Sequence, residues 1–211
     1  PSYQTLAEMA GWFRGHPTGT LYIGDQFIVD LLVWYHIAWM GETVRRNNEQ
    51  IRQLMTKGHG YTLHDRRQLL GIIGELLSSV IDRYRMLAES GQVELSMTPY
   101  AHPIVPLLLD LDTAKDAMPG IPMPEHSSYP GGRERVDWHL KEGLETFEQY
   151  FGFKPVGCWP SEGGVSTAAL EVMEAHGFKW AASGESVFRH SINHKANRKL
   201  ADSSLYQAFC T

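Results

Sequence analysis

Val156-Gly157-Cys158-Trp159-Pro160-Ser161-Glu162-Gly163-Gly164-Val165-Ser166 constrains the fold of this chain more than any other stretch. A short apolar run, Val156 to Trp159, ends in a carboxylate, two glycines and a serine. The glycines free the backbone just after Glu162, and Ser166 suits the N-cap of a following helix. That order is strand, loop, helix. It puts Glu162 at the carboxyl end of a strand, where open α/β sheets and barrels carry their chemistry. On this local pattern alone, a surface glutamate in a turn reads equally well.

The surrounding chain supplies the rest of an α/β pattern. Asp25 to Met40 carries apolar side chains almost all round, as a helix sunk in a core does. Arg45 to Lys57 is polar and reads as a solvated helix. Thr62-Leu63-His64-Asp65 has the form of a helix start, with an acid three residues after the threonine. Leu69, Ile72, Ile73, Leu76, Val80, Ile81, Tyr84 and Leu87 then keep helical spacing until Ser90-Gly91. Val93-Glu94-Leu95-Ser96-Met97 alternates like a strand that Thr98-Pro99 ends. Prolines and glycines recur from Asp110 to Gly132, a loop long enough to serve as a lid or binding loop. Val136, Leu140, Leu144, Phe147 and Phe151 define another amphipathic helix, ended by Gly152. A strand over 156–159, a helix over 167–176 stopped by Gly177, and a strand over 178–182 follow. Strands alternating with helices predict parallel βαβ units. No internal repeat is present.

Composition narrows the partners. The 211 residues can hold one large domain or two small ones. The net charge of −5, with no long run of Lys or Arg, argues against a nucleic-acid surface. The most apolar stretch, Phe27 to Met40, is interrupted by Asp30 and His36, so no membrane span is expected. Two cysteines, Cys158 and Cys210, make no disulfide framework and suggest a reducing, cytoplasmic setting. No secretory signal opens the chain. It begins at Pro1 without a methionine and closes at Cys210-Thr211, and so reads as a fragment. Oligomeric state is not legible.

Three segments now coincide with one family. Gly91-Gln92-Val93-Glu94-Leu95 followed by Thr98-Pro99-Tyr100-Ala101-His102-Pro103-Ile104-Val105-Pro106-Leu107-Leu108 resembles the second conserved region of glycoside hydrolase family 57. Trp159 to Ser166 resembles its third region, which carries the catalytic nucleophile. Gly177-Phe178-Lys179-Trp180-Ala181-Ala182-Ser183-Gly184-Glu185 is similar to the next strand. The resemblance runs from about Leu31 to Ser191, in order and at family-like spacing. It implies a single domain over 1–211, the central part of a parallel-stranded (β/α)7-type barrel that is incomplete in this chain. It also implies hydrolysis or transfer of α-glucans or related α-linked oligosaccharides with retention, without a metal or other cofactor. The His-Gln-Pro motif of the family's first strand is absent. The fourth region, whose aspartate is the usual general acid, would lie beyond residue 211. Gly184-Glu185 stands where many members have Asp-Glu. The chain alone is therefore expected to be catalytically silent.

Retention requires two carboxyl groups, one attacking the anomeric carbon and one serving the leaving oxygen as acid and then water as base. The resemblance assigns attack to Glu162. Glu94, in mid-strand between Val93 and Leu95, suits a sugar hydroxyl or a structural arginine partner. His102, past a strand end, suits sugar hydroxyls, or it is a packed loop histidine. Trp159, Tyr100, Trp34 and Trp39 are candidate platforms for flat sugar faces, although tryptophans on apolar helices are usually core. Glu185 reads as a carboxylate behind the substrate contacts or as a solvent-exposed residue. His190-Ser191-Ile192-Asn193-His194 resembles the metal-binding histidine motif of polysaccharide deacetylases, but no Asp-Asp accompanies it, and two histidines make a poor site. His59 and His64 read as solvated, and Cys158 as a buried apolar thiol. The alternatives to a glycosidase are a metal-dependent deacetylase and a non-catalytic glucan-binding module.

Overall fold

The computed structural model describes residues 3–118, 120–126 and 128–187. It is mostly helical, with two short parallel strands. The chain divides into two compact units, Pro1–Val80 and Ile81–Thr211.

The first unit is helical. It holds α1 (Gln4–Gly15), α2 (Asp25–Trp39), α3 (Glu42–Asn47), α4 (Glu49–Lys57) and α5 (Leu63–Ser78). Its core joins Val33 and Ile37 of α2, Ile51 and Leu54 of α4, and Leu69 and Ile72 of α5, with Met40 and Tyr61. The expected start of α5 is a capping box: Thr62 Oγ1 accepts from the Asp65 N–H, and the Asp65 carboxylate accepts from the Thr62 N–H.

Two sequence expectations need correction here. Helix α2 is not sunk in a core, because only Asp30, Val33 and Ile37 are buried. Leu32, Tyr35 and Trp39 are exposed, since only one face of α2 meets α4 and α5. The stretch 45–57 is not a solvated helix: it bends at Asn48, which caps α4, and buries Ile51 and Leu54. One apolar pair three residues apart is enough to seat a polar helix. The long helical spacing from Leu69 to Leu87 breaks at Ser79, whose hydroxyl donates to the Leu76 carbonyl and competes with the helical ladder.

The second unit holds α6 (Val80–Glu89, which begins at the boundary), α7 (Val105–Leu109), α8 (Ala114–Ala117), α9 (Gly132–Phe151), β1 (Gly157–Cys158), α10 (Thr167–Ala175) and β2 (Trp180–Ala181). Strands β1 and β2 are parallel, Gly157 opposite Trp180 and Cys158 opposite Ala181. Met97 forms a parallel bridge to Cys158 on the other side of β1. Its N–H donates to the Gly157 carbonyl at 3.2 Å, and its own carbonyl accepts from the Trp159 N–H at 2.8 Å.

The expected strand over 93–97 therefore shortens to its last residue. In that register Leu95 would lie opposite Val156, and no backbone hydrogen bond joins the two segments there. Met97, Val105, Val136, Leu140, Phe147, Cys158, Val172, Met173 and Phe178 form the core of this unit. Burial pushes the Cys158 thiol up to about 12. The Asp110–Gly132 stretch is partly helical, with a tight turn over Leu111–Thr113 and then α8. Among the described residues, no helix is long and apolar enough to cross a membrane.

Candidate functional site

Two loops meet at the carboxyl end of the small sheet. The first leaves β1 through Trp159, which is exposed, and Pro160, which is buried. The chain then makes one tight turn over Ser161–Gly163, closed by N–H bonds from Gly163 to the Pro160 carbonyl and from Gly164 to the Ser161 carbonyl. Glu162 sits in that turn with φ 54° and ψ 18°, the left-handed region, and its side chain is 75% exposed. Ser166 then caps α10 by accepting from the Ala169 N–H. From the end of β2, Ser183 Oγ donates to the Gly163 carbonyl at 2.6 Å, which ties the turn to the segment leading to Glu185.

The second loop follows Met97. Ala101 and His102 are left-handed, with φ 56° and 59°. With Glu162 they are the non-glycine residues of positive φ among the described residues. Such backbone costs about 1 kcal/mol or more at each residue and persists only where the surroundings impose it. Part of the imposition comes from α9. The Tyr100 N–H donates to the His139 carbonyl at 3.1 Å, and His139 Nδ1 lies 2.6 Å from the Tyr100 carbonyl. A carbonyl only accepts, so His139 Nδ1 carries the proton. The Tyr100 ring stands edge-on to Trp138 at 5.6 Å between centroids.

The loop is set close to α9 by Gly143, where a Cβ would lie 2.4 Å from Met97 Cε and 3.3 Å from the Tyr100 nitrogen. His102 thereby reaches Glu162: its Nε2 lies 3.1 Å from Oε1 of the carboxylate. Thr98 Oγ1 lies 3.4 Å from Nδ1 of the same ring. Beside this loop is a cavity of about 430 Å³, lined by Tyr100, His102, Phe147, Tyr150 and Phe151 among others. Most of its wall is apolar. Because His102 and Glu162 are both exposed, their contact adds little to stability. Its interest is geometric: one carboxylate oxygen is held and the other has no partner among the described residues.

The remaining candidates differ in their surroundings. Glu94 accepts a 2.6 Å hydrogen bond from Trp180 Nε1, an indole partner, where the sequence left a sugar hydroxyl and an arginine open. It lies three residues before Met97, about 10 Å toward the amino end of the sheet. The Trp180 ring covers Gly157, where a Cβ would come within 2.0 Å of it. Tyr100 and Trp159 are exposed in the two loops that meet. Glu185 is exposed and follows Gly184, whose nitrogen borders Gly163. Trp34 and Trp39 belong to the first unit. Trp34 packs on its core and donates to the Gly58 carbonyl at 2.7 Å, while Trp39 is 76% exposed.

His59 and His64 are exposed. Among the described residues, no three His, Cys, Asp or Glu side chains gather as metal ligands do, and His190 and His194 lie outside those residues. Sequence reasoning missed Thr98 and His139. Thr98 reads as a strand stop beside Pro99, and His139 hides among the polar positions of α9. Only the positive φ values reveal that these side chains support a strained loop.

Against known proteins, the family model described as glycosyl hydrolase family 57 matches residues 5–209. No curated protein and no solved structure matches the chain.

Proposed function

The chain belongs to glycosyl hydrolase family 57 and is a glycoside hydrolase, and from that premise we propose a retaining hydrolase or transglycosylase acting on α-glucans or related α-linked oligosaccharides, with Glu162 as its nucleophile. The observation that carries the assignment is the Glu162 turn. A solvent-open carboxylate stands on left-handed backbone at the carboxyl end of β1, with Oε1 against His102 and no partner for Oε2 among the described residues.

In the proposed reaction, Oε2 of Glu162 attacks the anomeric carbon and forms a glycosyl ester. A second carboxyl group, about 5–5.5 Å away, donates a proton to the departing oxygen and then activates the water or sugar acceptor that resolves the ester. The resemblance puts that acid on a later strand of a (β/α)7 barrel. The parallel ladder from Met97 through β1 to β2, with α10 as the crossover, supports this reading, since a (β/α) barrel is built by repeating such βαβ steps. Trp159 and Tyr100, exposed beside Glu162, offer aromatic faces to sugar rings. Glu185 adds a carboxylate near the Gly163 turn, whereas the Glu94 bond to Trp180 favours a structural role for that residue.

The test is Glu162→Gln in the full-length protein, assayed on maltooligosaccharides with analysis of products. The amide keeps the shape and removes the nucleophile, so turnover is expected to fall by several orders of magnitude while sugar binding persists. Activity within about tenfold of wild type would overturn the assignment.

A further inference from the structure

We propose that His102 is a positioning residue for the nucleophile, oriented by Thr98 and held in place by His139, rather than a simple sugar contact. The inference rests on the Glu162 reading above and specifies how that carboxylate is aimed.

The argument begins with protons. An ionised carboxylate only accepts, so the 3.1 Å contact requires the proton on Nε2 of His102. In the neutral ring Nδ1 then bears a lone pair, and the Thr98 hydroxyl, 3.4 Å away, is the donor facing it. Both ring nitrogens are therefore engaged within the protein, and neither is left in the ring plane for a sugar hydroxyl. The backbone points the same way. Left-handed residues stand on both sides of the contact, Ala101 and His102 on one loop and Glu162 on the other. Strain paired across a single hydrogen bond is expected where that bond has to be made. The two bonds between Tyr100 and His139 hold the His102 side of it in register.

The consequence is an assignment of oxygens. Oε1 is held, so Oε2 attacks. Its lone pair forms the bond to the anomeric carbon as the glycosidic C–O bond breaks. The leaving oxygen takes that electron pair, and a proton from the acid carboxyl group. Oε1 becomes the ester carbonyl and keeps the N–H of His102. In the second step a water oxygen bonds to the anomeric carbon and gives its proton to the acid group, now a carboxylate. The C–Oε2 electron pair returns to Glu162. The restored charge spreads onto Oε1, where the N–H is waiting. A donor at Oε1 thus assists departure of Glu162 more than its attack, and its loss slows breakdown of the ester most.

The experiment compares His102→Ala, His102→Gln and Thr98→Val with wild type in the full-length protein, using an aryl α-maltoside whose good leaving group makes ester breakdown limiting. Folding is checked by circular dichroism. For His102→Ala, kcat is expected to fall about 10- to 100-fold, with KM unchanged or lower because the ester accumulates. The glutamine amide, which can also donate to Oε1, should recover part of the loss. Thr98→Val should show the same signature on a smaller scale, and it carries the test should His102→Ala fail to fold.

A tenfold rise in KM at constant kcat would identify a sugar contact and overturn the proposal. So would an unchanged kcat. Labelling with a fluorinated glucosyl fluoride separates the two readings. A label on another carboxylate removes Glu162 as nucleophile and this inference with it. A label on Glu162 with unaltered kcat in the variants removes the inference alone.

Discussion

The two units treat their polar groups and their backbone in opposite ways. In the first, the buried carboxylate of Asp30 accepts from the Gly60 N–H at 2.9 Å, the Tyr61 N–H at 3.0 Å and the Gln26 amide at 2.8 Å. Its left-handed positions, Gly58 and Gly60, are glycines. In the second, left-handed backbone also falls on Ala101, His102 and Glu162, although that unit uses glycine at Gly91, Gly131, Gly152, Gly163 and Gly177. Ser161 Oγ is buried there without a hydrogen-bond partner among the described residues. Among its described residues, the first unit keeps positive φ to glycines and its buried carboxylate hydrogen-bonded. Among the described residues, the departures of the second gather at the carboxyl end of its sheet, and such clustered departures mark sites where geometry is held for chemistry.

If that contrast is right, the first unit should be the more sensitive to loss of a single polar side chain. Asp30→Ala leaves the buried N–H of Tyr61 and the neighbouring Gly60 N–H without their acceptor. A loss of about 2–3 kcal/mol is expected in urea unfolding. A loss below about 0.5 kcal/mol would mean that this network does not organise the unit.

A smaller effect tests the same unit by pH. The hydrogen bond from Lys57, helped by donors on Thr62, lowers the Asp65 carboxyl to about 2, against about 3.9 in an unfolded chain. A group with a depressed folded pKa contributes stability above its unfolded value and loses it as pH falls through the folded one. The contribution is therefore complete above about pH 5 and disappears toward pH 2. Because the Lys57 side chain is 37% exposed, solvent screening reduces the expected size to about 1–2 kcal/mol. Asp65→Asn should unfold with a flatter acid dependence over that window. An unchanged acid profile would show that the pair and its capping box do not stabilise α5.

The sequence announced these two kinds of region unequally. The capping box at Thr62 and Asp65, the end of α9 at Gly152 and the strand–loop–helix around Glu162 were legible, because each depends on residues close in the chain. Glu162 and His102 could be picked out separately by type and position, but not as neighbours. Their meeting depends on a parallel register sixty residues apart in the chain and on the close approach of the Tyr100 loop to α9 at Gly143. The partial burial of α4 and the exposure of α2 were hidden for a related reason. Periodicity says which residues are apolar, and tertiary packing decides which of their faces is covered. The indole partner of Glu94 was likewise out of reach, since alternation fixes the side of a strand and not what faces it.

The finest test of the contrast is a paired alanine-to-glycine change. Ala7 lies exposed in α1, where right-handed backbone gives alanine its advantage, so Ala7→Gly should cost about 1 kcal/mol. At Ala101 the same change meets φ 56°, which glycine adopts without steric cost. Relief of that strain offsets the extra freedom glycine brings to the unfolded chain. Stability should therefore stay within about 0.5 kcal/mol of wild type. Activity should respond differently, because a glycine beside His102 loosens the loop that presents Nε2 to Glu162. A fall in kcat without loss of stability at position 101, beside a loss of stability without change in kcat at position 7, is the expected pattern. Equal destabilisation of about 1 kcal/mol at both positions would show that Ala101 is not left-handed in solution, and the case for a strained, positioned loop would fail with it.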